Sequence, residues 1–153
     1  MPEENIRVIA TNRKAKHDYQ IQSTLEAGIA LQGKEVKSVR EGRVNLKDSY
    51  ARFKMGELWL IGLHISQYKN APVEEHEPLR DRKLLLKKSE LRKLFRQTEE
   101  KGVTLIPLKI YFRQHLVKIE LALAHGKRKY DKRAAIAEKD MKRDLAREQK
   151  YNN

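Results

Sequence analysis

From Tyr19 onward, apolar and polar side chains alternate. Tyr19, Ile21, Leu25, Ala27, Ile29 and Leu31 fall on one parity, and Gln20, Gln22, Thr24 and Glu26 on the other. A period of two over this length predicts a long, half-buried strand. Gly28 lies on the polar parity, where such a strand can bend or bulge. Residues 32–40 predict a short helix with Val36 and Val39 on one face and Gly42 as its stop. Residues 45–65 predict two strands joined at Lys54–Glu57, with Gly56 at the tip of the turn. Ser89 is a candidate cap for a helix whose inner face is Leu91, Leu94 and Phe95, ended by Gly102.

Two more strands follow. In residues 103–112 the expectation puts Ile106, Leu108, Ile110 and Phe112 on one face, with an edge or bulge at Pro107, which donates no hydrogen bond. In residues 116–124, Val117, Ile119, Leu121 and Leu123 alternate with Lys118, Glu120, Ala122 and Ala124. The first ten residues carry no clear period. Residues 66–82 read as a polar loop with Pro72 and Pro78. Five strands with short connections predict a mainly β fold with flanking helices, an OB-like Greek-key barrel.

Residues 1–125 hold all of these elements, and residues 126–153 differ. They contain 10 Lys and Arg against 5 Asp and Glu, with few large apolar side chains. Such a segment cannot bury enough surface to fold alone. From Arg133 on it has neither Gly nor Pro, and Ala137, Met141 and Leu145 are spaced by four. The expectation is a basic C-terminal tail, disordered when free and helical when a partner compensates its charge.

Charge narrows the function. The 153 residues carry 34 Lys and Arg against 21 Asp and Glu, a net +13. That surplus favours a polyanionic partner, nucleic acid before membrane. No cysteine is present, which excludes disulfides, thiolate chemistry and Cys-based zinc sites. No signal-like or membrane-spanning run occurs in the sequence, so the expected location is cytoplasmic. The five histidines form no catalytic or metal motif, and Val73–Glu77 reads as a solvated acidic patch. The expectation is therefore no enzyme, no metal and no cofactor. An RNA-cleaving role for His17 is the enzymatic alternative, and a generic basic rRNA-binding or ribosomal OB-fold protein is the binding alternative. Three basic clusters, Arg13–His17, Arg80–Lys88 and Lys127–Arg133, stand at element boundaries where Lys and Arg can meet phosphates and His17, Tyr19 or Tyr130 can stack on bases.

Several strings then carry a resemblance: Asn12-Arg-Lys-Ala-Lys-His-Asp-Tyr19, Glu26-Ala-Gly-Ile-Ala-Leu-Gln-Gly-Lys-Glu-Val-Lys-Ser38, Asn45-Leu-Lys-Asp-Ser-Tyr50, Arg82-Lys-Leu-Leu-Leu86, Pro107-Leu-Lys-Ile-Tyr-Phe112 and Tyr130-Asp-Lys-Arg133. In this order they resemble the SsrA-binding protein (SmpB) family, from about residue 6 to 133. The resemblance implies binding to the tRNA-like domain of transfer-messenger RNA (tmRNA) and a part in trans-translation. It implies delivery of alanyl-tmRNA to the A site of stalled 70S ribosomes, with elongation factor Tu involved through the alanyl-tmRNA. It also implies a tail that senses the empty mRNA channel near the small-subunit decoding centre and folds into a helix there. By position, Asn12, Arg13, Lys14, Lys16, His17, Glu26, Lys83, Leu85 and Lys118 match the tmRNA-contacting residues. Gly126, Lys127, Arg128, Lys129, Tyr130, Asp131, Lys132 and Arg133 match the hinge and start of the tail. For Glu26 a structural ion pair is the alternative, and for Leu85 a place in the core.

Overall fold

The computed structural model describes residues 5–67 and 77–126. The elements run β1 (Ile6–Thr11), α1 (Arg13–Asp18), β2 (Tyr19–Ile29), α2 (Gly33–Arg40), β3 (Val44–Asn45), β4 (Tyr50–Lys54), β5 (Glu57–Ile61), β6 (His64–Ile65), β7 (Arg82–Leu85), α3 (Lys88–Thr98), β8 (Val103–Arg113) and β9 (Leu116–Gly126). Six strands close into an OB-like barrel in the order β8-β4-β5-β7-β2-β9, with β9 returning to pair with β8. β1 adds to the outside of β8, and β3 pairs with β6 as a separate ribbon. The basic tail from Lys127 onward, and with it the expected disorder-to-helix behaviour, lies outside the described residues.

The barrel interior is a continuous apolar core. Leu58, Leu60, Leu63, Ile65, Ile110, Ile119 and Leu121 are fully buried there. Each contributes about 1.5–3 kcal/mol over an exposed position. Val39 of α2 and Leu94 of α3 enter the same core. The turn glycines act as expected: Gly42 and Gly56 take φ of +77° and +78° at the end of α2 and in the β4–β5 hairpin.

Two parities slip relative to the sequence reading. β2 pairs with β9 through Ile21↔Ala124 and then Ser23↔Leu123, so Gln22 is an extra residue. Tyr19 and Ile21 therefore face outward, while Leu25, Ala27 and Ile29 face the core. The break sits at Gln22 and not at Gly28. In β8 the pairing jumps from Pro107↔Leu121 to Lys109↔Glu120. The bulge expected near Pro107 is present, but Pro107 pairs in the interior of the sheet and not at an edge. It also splits the expected face: Ile106 and Leu108 point outward, Ile110 and Phe112 inward. One inserted residue inverts every later side chain.

The outward apolar residues are covered by α1. Ala15 packs on Ile106, Leu108 and Ala122, flanked by Tyr19 and Ile21. Ala122 and Ala124 on the outer parity of β9 are fully buried, their small side chains admitting the helix.

Three further expectations need correction. β1, β3, β6 and β7 were not foreseen, so five strands become nine among the described residues. The N-cap of α3 is Lys87, not Ser89; the Glu90 side chain accepts from the Lys87 backbone N–H at 3.2 Å. The cluster Arg80–Lys88 is not a uniform phosphate-facing surface. Arg82 is fully buried, and Arg80 and Arg82 both donate to Glu35 of α2.

Candidate nucleic-acid interface

On the outer face of β7, β2, β9 and β8, the register sets Leu85, Gly28, Lys118 and Tyr111 side by side across four strands. The next residues along the strands place Glu26, Glu120 and Lys109 in a second row. Gly28 has a role that its place on the polar parity did not reveal. A Cβ at this position would lie 3.2 Å from the Cβ of Leu85, so the missing side chain is what lets Leu85 lie across the sheet. Leu85 is not a core leucine: it is 49% exposed, while Leu84 beside it fills the barrel. Lys118 is half-buried and has no carboxylate partner among the described residues. Leu85, Gly28, Leu116 and Lys118 line a cleft of about 290 Å³.

Glu26 is held in this face from one side. The Tyr111 hydroxyl donates to its Oε2 at 2.5 Å, and Arg113 donates to the same oxygen from Nε at 2.9 Å and Nη2 at 2.6 Å. The foreseen ion pair is thus real, yet the carboxylate stays one-third exposed. Burial pushes the Tyr111 hydroxyl up from its ordinary pKa, and the hydrogen bond to Glu26 adds to the effect. The phenol therefore stays a donor. Tyr111 and Arg113 escaped the sequence reading because they reach Glu26 across β9, a neighbourhood that only strand order reveals. Lys109 pairs with Glu120 at 3.7 Å, and Lys83 with Glu57 at 3.3 Å.

The basic turn Arg13–His17 forms as α1, but elsewhere. Asn12 is buried, and its side chain is fully engaged. Its Oδ1 accepts from Ala15 N–H at 3.1 Å, and its Nδ2 donates to Pro107 O at 3.0 Å and Leu46 O at 3.4 Å. Asn12 therefore bolts α1 to the barrel, an N-cap worth about 1 kcal/mol. Arg13, Lys14, Lys16 and His17 project outward. Lys14 meets Asp48 at 3.4 Å, and His17 meets Asp18 at 3.1 Å.

Tyr19 beside α1 pairs with Gly126, and Gly28 pairs with Lys118. Eight residues of β9 separate the two pairs, about 26 Å at ~3.3 Å per residue. The candidate residues therefore divide between two ends of one strand pair. Glu26, Leu85 and Lys118 stand at one end. The α1 cations stand at the other, where the chain leaves β9 at Gly126; Lys127, Arg128, Lys129, Tyr130, Asp131, Lys132 and Arg133 lie outside the described residues.

Among the described residues no His, Asp and Glu cluster is placed to hold a metal, and no helix is long and apolar enough to cross a membrane. The family model described as SmpB protein matches residues 9–151. The chain belongs to the SmpB family. Relatives named SsrA-binding protein match it almost end to end. That of Halothermothrix orenii is 56% identical over 147 residues, 96% of this chain and 95% of the relative. That of Acetivibrio thermocellus is 53% identical over 152 residues, 99% of each. A solved structure described as "tmRNA-SmpB: a journey to the center of the bacterial ribosome" superposes with a TM-score of 0.67 at 49% identity. The match covers 82% of this chain and 93% of that chain.

Proposed function

We propose that the protein binds tmRNA and serves trans-translation on the 70S ribosome, with the tRNA-like domain held against the Glu26–Leu85–Lys118 end of the barrel. The observation that carries this reading is end-to-end membership of the SmpB family, whose relatives are named for SsrA binding. The chemistry of the outer face agrees with it. Lys118 is a half-buried cation without a carboxylate partner among the described residues, suited to a phosphate. Glu26 repels phosphate, so its remaining lone pairs select donors: a base amino group or a ribose 2′-OH. Leu85 offers an apolar surface to a base or ribose. At the other end of the β2–β9 pair the α1 cations Arg13, Lys14, Lys16 and His17 suit further phosphates of the same RNA, and the tail acts at the decoding centre. In that tail the Tyr130 ring suits stacking on a base, and Lys132 and Arg133 suit phosphates.

In this role the protein escorts alanyl-tmRNA to the A site of stalled ribosomes, meeting elongation factor Tu only through that RNA. Its tail reports an empty mRNA channel. It changes no covalent bond, and it works in the cytoplasm.

The test is binding of the full-length protein to the tRNA-like domain with competitor tRNA present. Selective binding, lost in Glu26→Ala, is expected. Equal affinity for any RNA would replace this reading with a generic basic rRNA-binding protein.

A further inference from the structure

Around the β8–β9 turn from Lys118 lies a second cleft, of about 430 Å³, at the edge of the barrel. Arg7, Arg40, Gln114 and His115 line it, over a floor of Phe112. The lining contains no carboxylate, and neither arginine has an acidic partner among the described residues. The Arg40 guanidinium stands 5.5 Å from the centre of the Phe112 ring, a cation–π contact that holds it without neutralising it. Arg7 Nη2 donates to the Arg40 backbone carbonyl oxygen at 3.4 Å, which ties the Arg7 side chain to the end of α2. Two unpaired guanidiniums and an imidazole around one concavity form an anion site by charge complementarity.

The turn supports this. Gln114 has φ of +56°, a conformation in which a two-residue hairpin favours glycine. The chain instead keeps a side chain with an amide donor at the lip of the cleft. Its backbone N–H donates to Asn5 O at 2.9 Å, fixing the turn to the start of β1.

His115 lines both this cleft and the one containing Lys118. Arg7 pairs with Phe112, on the inward parity of β8, and Lys118 pairs with Tyr111 on the outer face, so the two clefts lie on opposite faces of β8 and meet at the turn.

We propose that the Arg7–Arg40 cleft is a phosphodiester site that carries the RNA-binding surface around the β8–β9 turn from Lys118, by way of His115. It takes the backbone of the same RNA that the Glu26 end recognises, and so rests on the function proposed above. The site carries affinity and not base selectivity, because guanidiniums on phosphates read no sequence.

The test measures binding of the tRNA-like domain at several salt concentrations for full-length wild type and for Arg7→Gln/Arg40→Gln. The slope of log K against log salt should shrink by about 1.4–1.8, from ~0.7–0.9 per phosphate lost. Affinity at low salt should fall by about tenfold, with selectivity over tRNA retained. Because Arg40 packs on Phe112, Arg7→Gln alone and Arg7→Lys/Arg40→Lys are measured beside it, with melting temperatures. The single variant should lose half the slope change, and the lysine pair should restore it. A wild-type slope in both glutamine variants would overturn the cleft assignment while leaving the function intact. So would a slope change seen only with 70S ribosomes in the absence of tmRNA. Wild type failing to select the tRNA-like domain would overturn both.

Discussion

Two glutamates in this barrel bind arginine, and their surroundings give them different work. Glu35 is almost completely buried, and both of its oxygens are taken. Arg82 Nε donates to Oε2 at 2.6 Å, Arg80 donates to both oxygens, and the Gln32 backbone N–H donates to Oε1 at 2.9 Å. Arg82 extends the network to the carbonyls of Leu63 at 2.6 Å and Pro78 at 3.0 Å. Nothing remains for a ligand. Glu26 is one-third exposed, with all its donors on one oxygen; Oε1 receives none among the described residues. Saturation and burial mark the first as architecture, tying α2 to β7. Half-saturation and exposure leave the second held still and open on one side, as the proposed contact with an incoming donor requires.

The largest expected effect tests the buried member. Glu35→Ala leaves the Arg82 guanidinium buried without its counter-ion. Breaking such a pair costs about 3–5 kcal/mol, a fall in melting temperature of roughly 10 °C or more. Thermal unfolding measures it, and a loss below about 1 kcal/mol would erase the distinction.

Next comes Glu26→Ala, which should move stability by under ~1 kcal/mol. It should weaken tRNA-like domain binding by about 10–100-fold, the worth of a hydrogen bond to a charged group. Tyr111→Phe removes one of the donors that fix the carboxylate. It should weaken the same binding by about fivefold, with the salt slope unchanged because no phosphate contact is lost.

The pH dependences sharpen the contrast. Burial raises the Glu35 pKa, but hydrogen bonds from Arg80, Gln32 N–H and Arg82 outweigh it, and the net shift is downward. The stability from Glu35 is therefore present above its unfolded value near 4.5 and lost as pH falls through the lower folded value. Tyr111 shifts upward, so its contribution is complete below the unfolded value of 10.0 and is lost as pH rises through the folded value. An acid titration should thus be altered by Glu35→Gln and left alone by Tyr111→Phe, and an alkaline titration the reverse. The smallest effect is expected for Lys14→Ala, whose exposed pair with Asp48 contributes no more than ~0.5 kcal/mol.

Much of this was readable in the sequence. The alternation of β9, the glycine turns and the basic turn of α1 follow from local pattern, and local pattern was enough to suggest a small barrel. The faces of β2 and β8 were misread because Gln22 and Leu108 are bulges, set by the partner strand and invisible in hydrophobicity. β1 was missed because Ile6 and Val8 are half exposed on an added edge strand. β7 was missed because one of its two inward residues is a charged arginine, and only the distant Glu35 makes that tolerable. At the site, family resemblance pointed to Glu26, Leu85 and Lys118. It did not give the Gly28 gap beneath Leu85, the donors Tyr111 and Arg113, or the separation of α1 from Lys118. Each of these depends on strand order and register.

The central claim is that the barrel recognises tmRNA and the tail acts on the ribosome. The most direct measurement compares tmRNA binding and tagging of stalled chains for two full-length variants, Glu26→Ala and Asp131→Ala/Lys132→Ala/Arg133→Ala. The account predicts that Glu26→Ala loses both activities, while the tail variant binds tmRNA as wild type does and tags nothing. Equal loss of binding and tagging in the tail variant, or undiminished binding in Glu26→Ala, would contradict it.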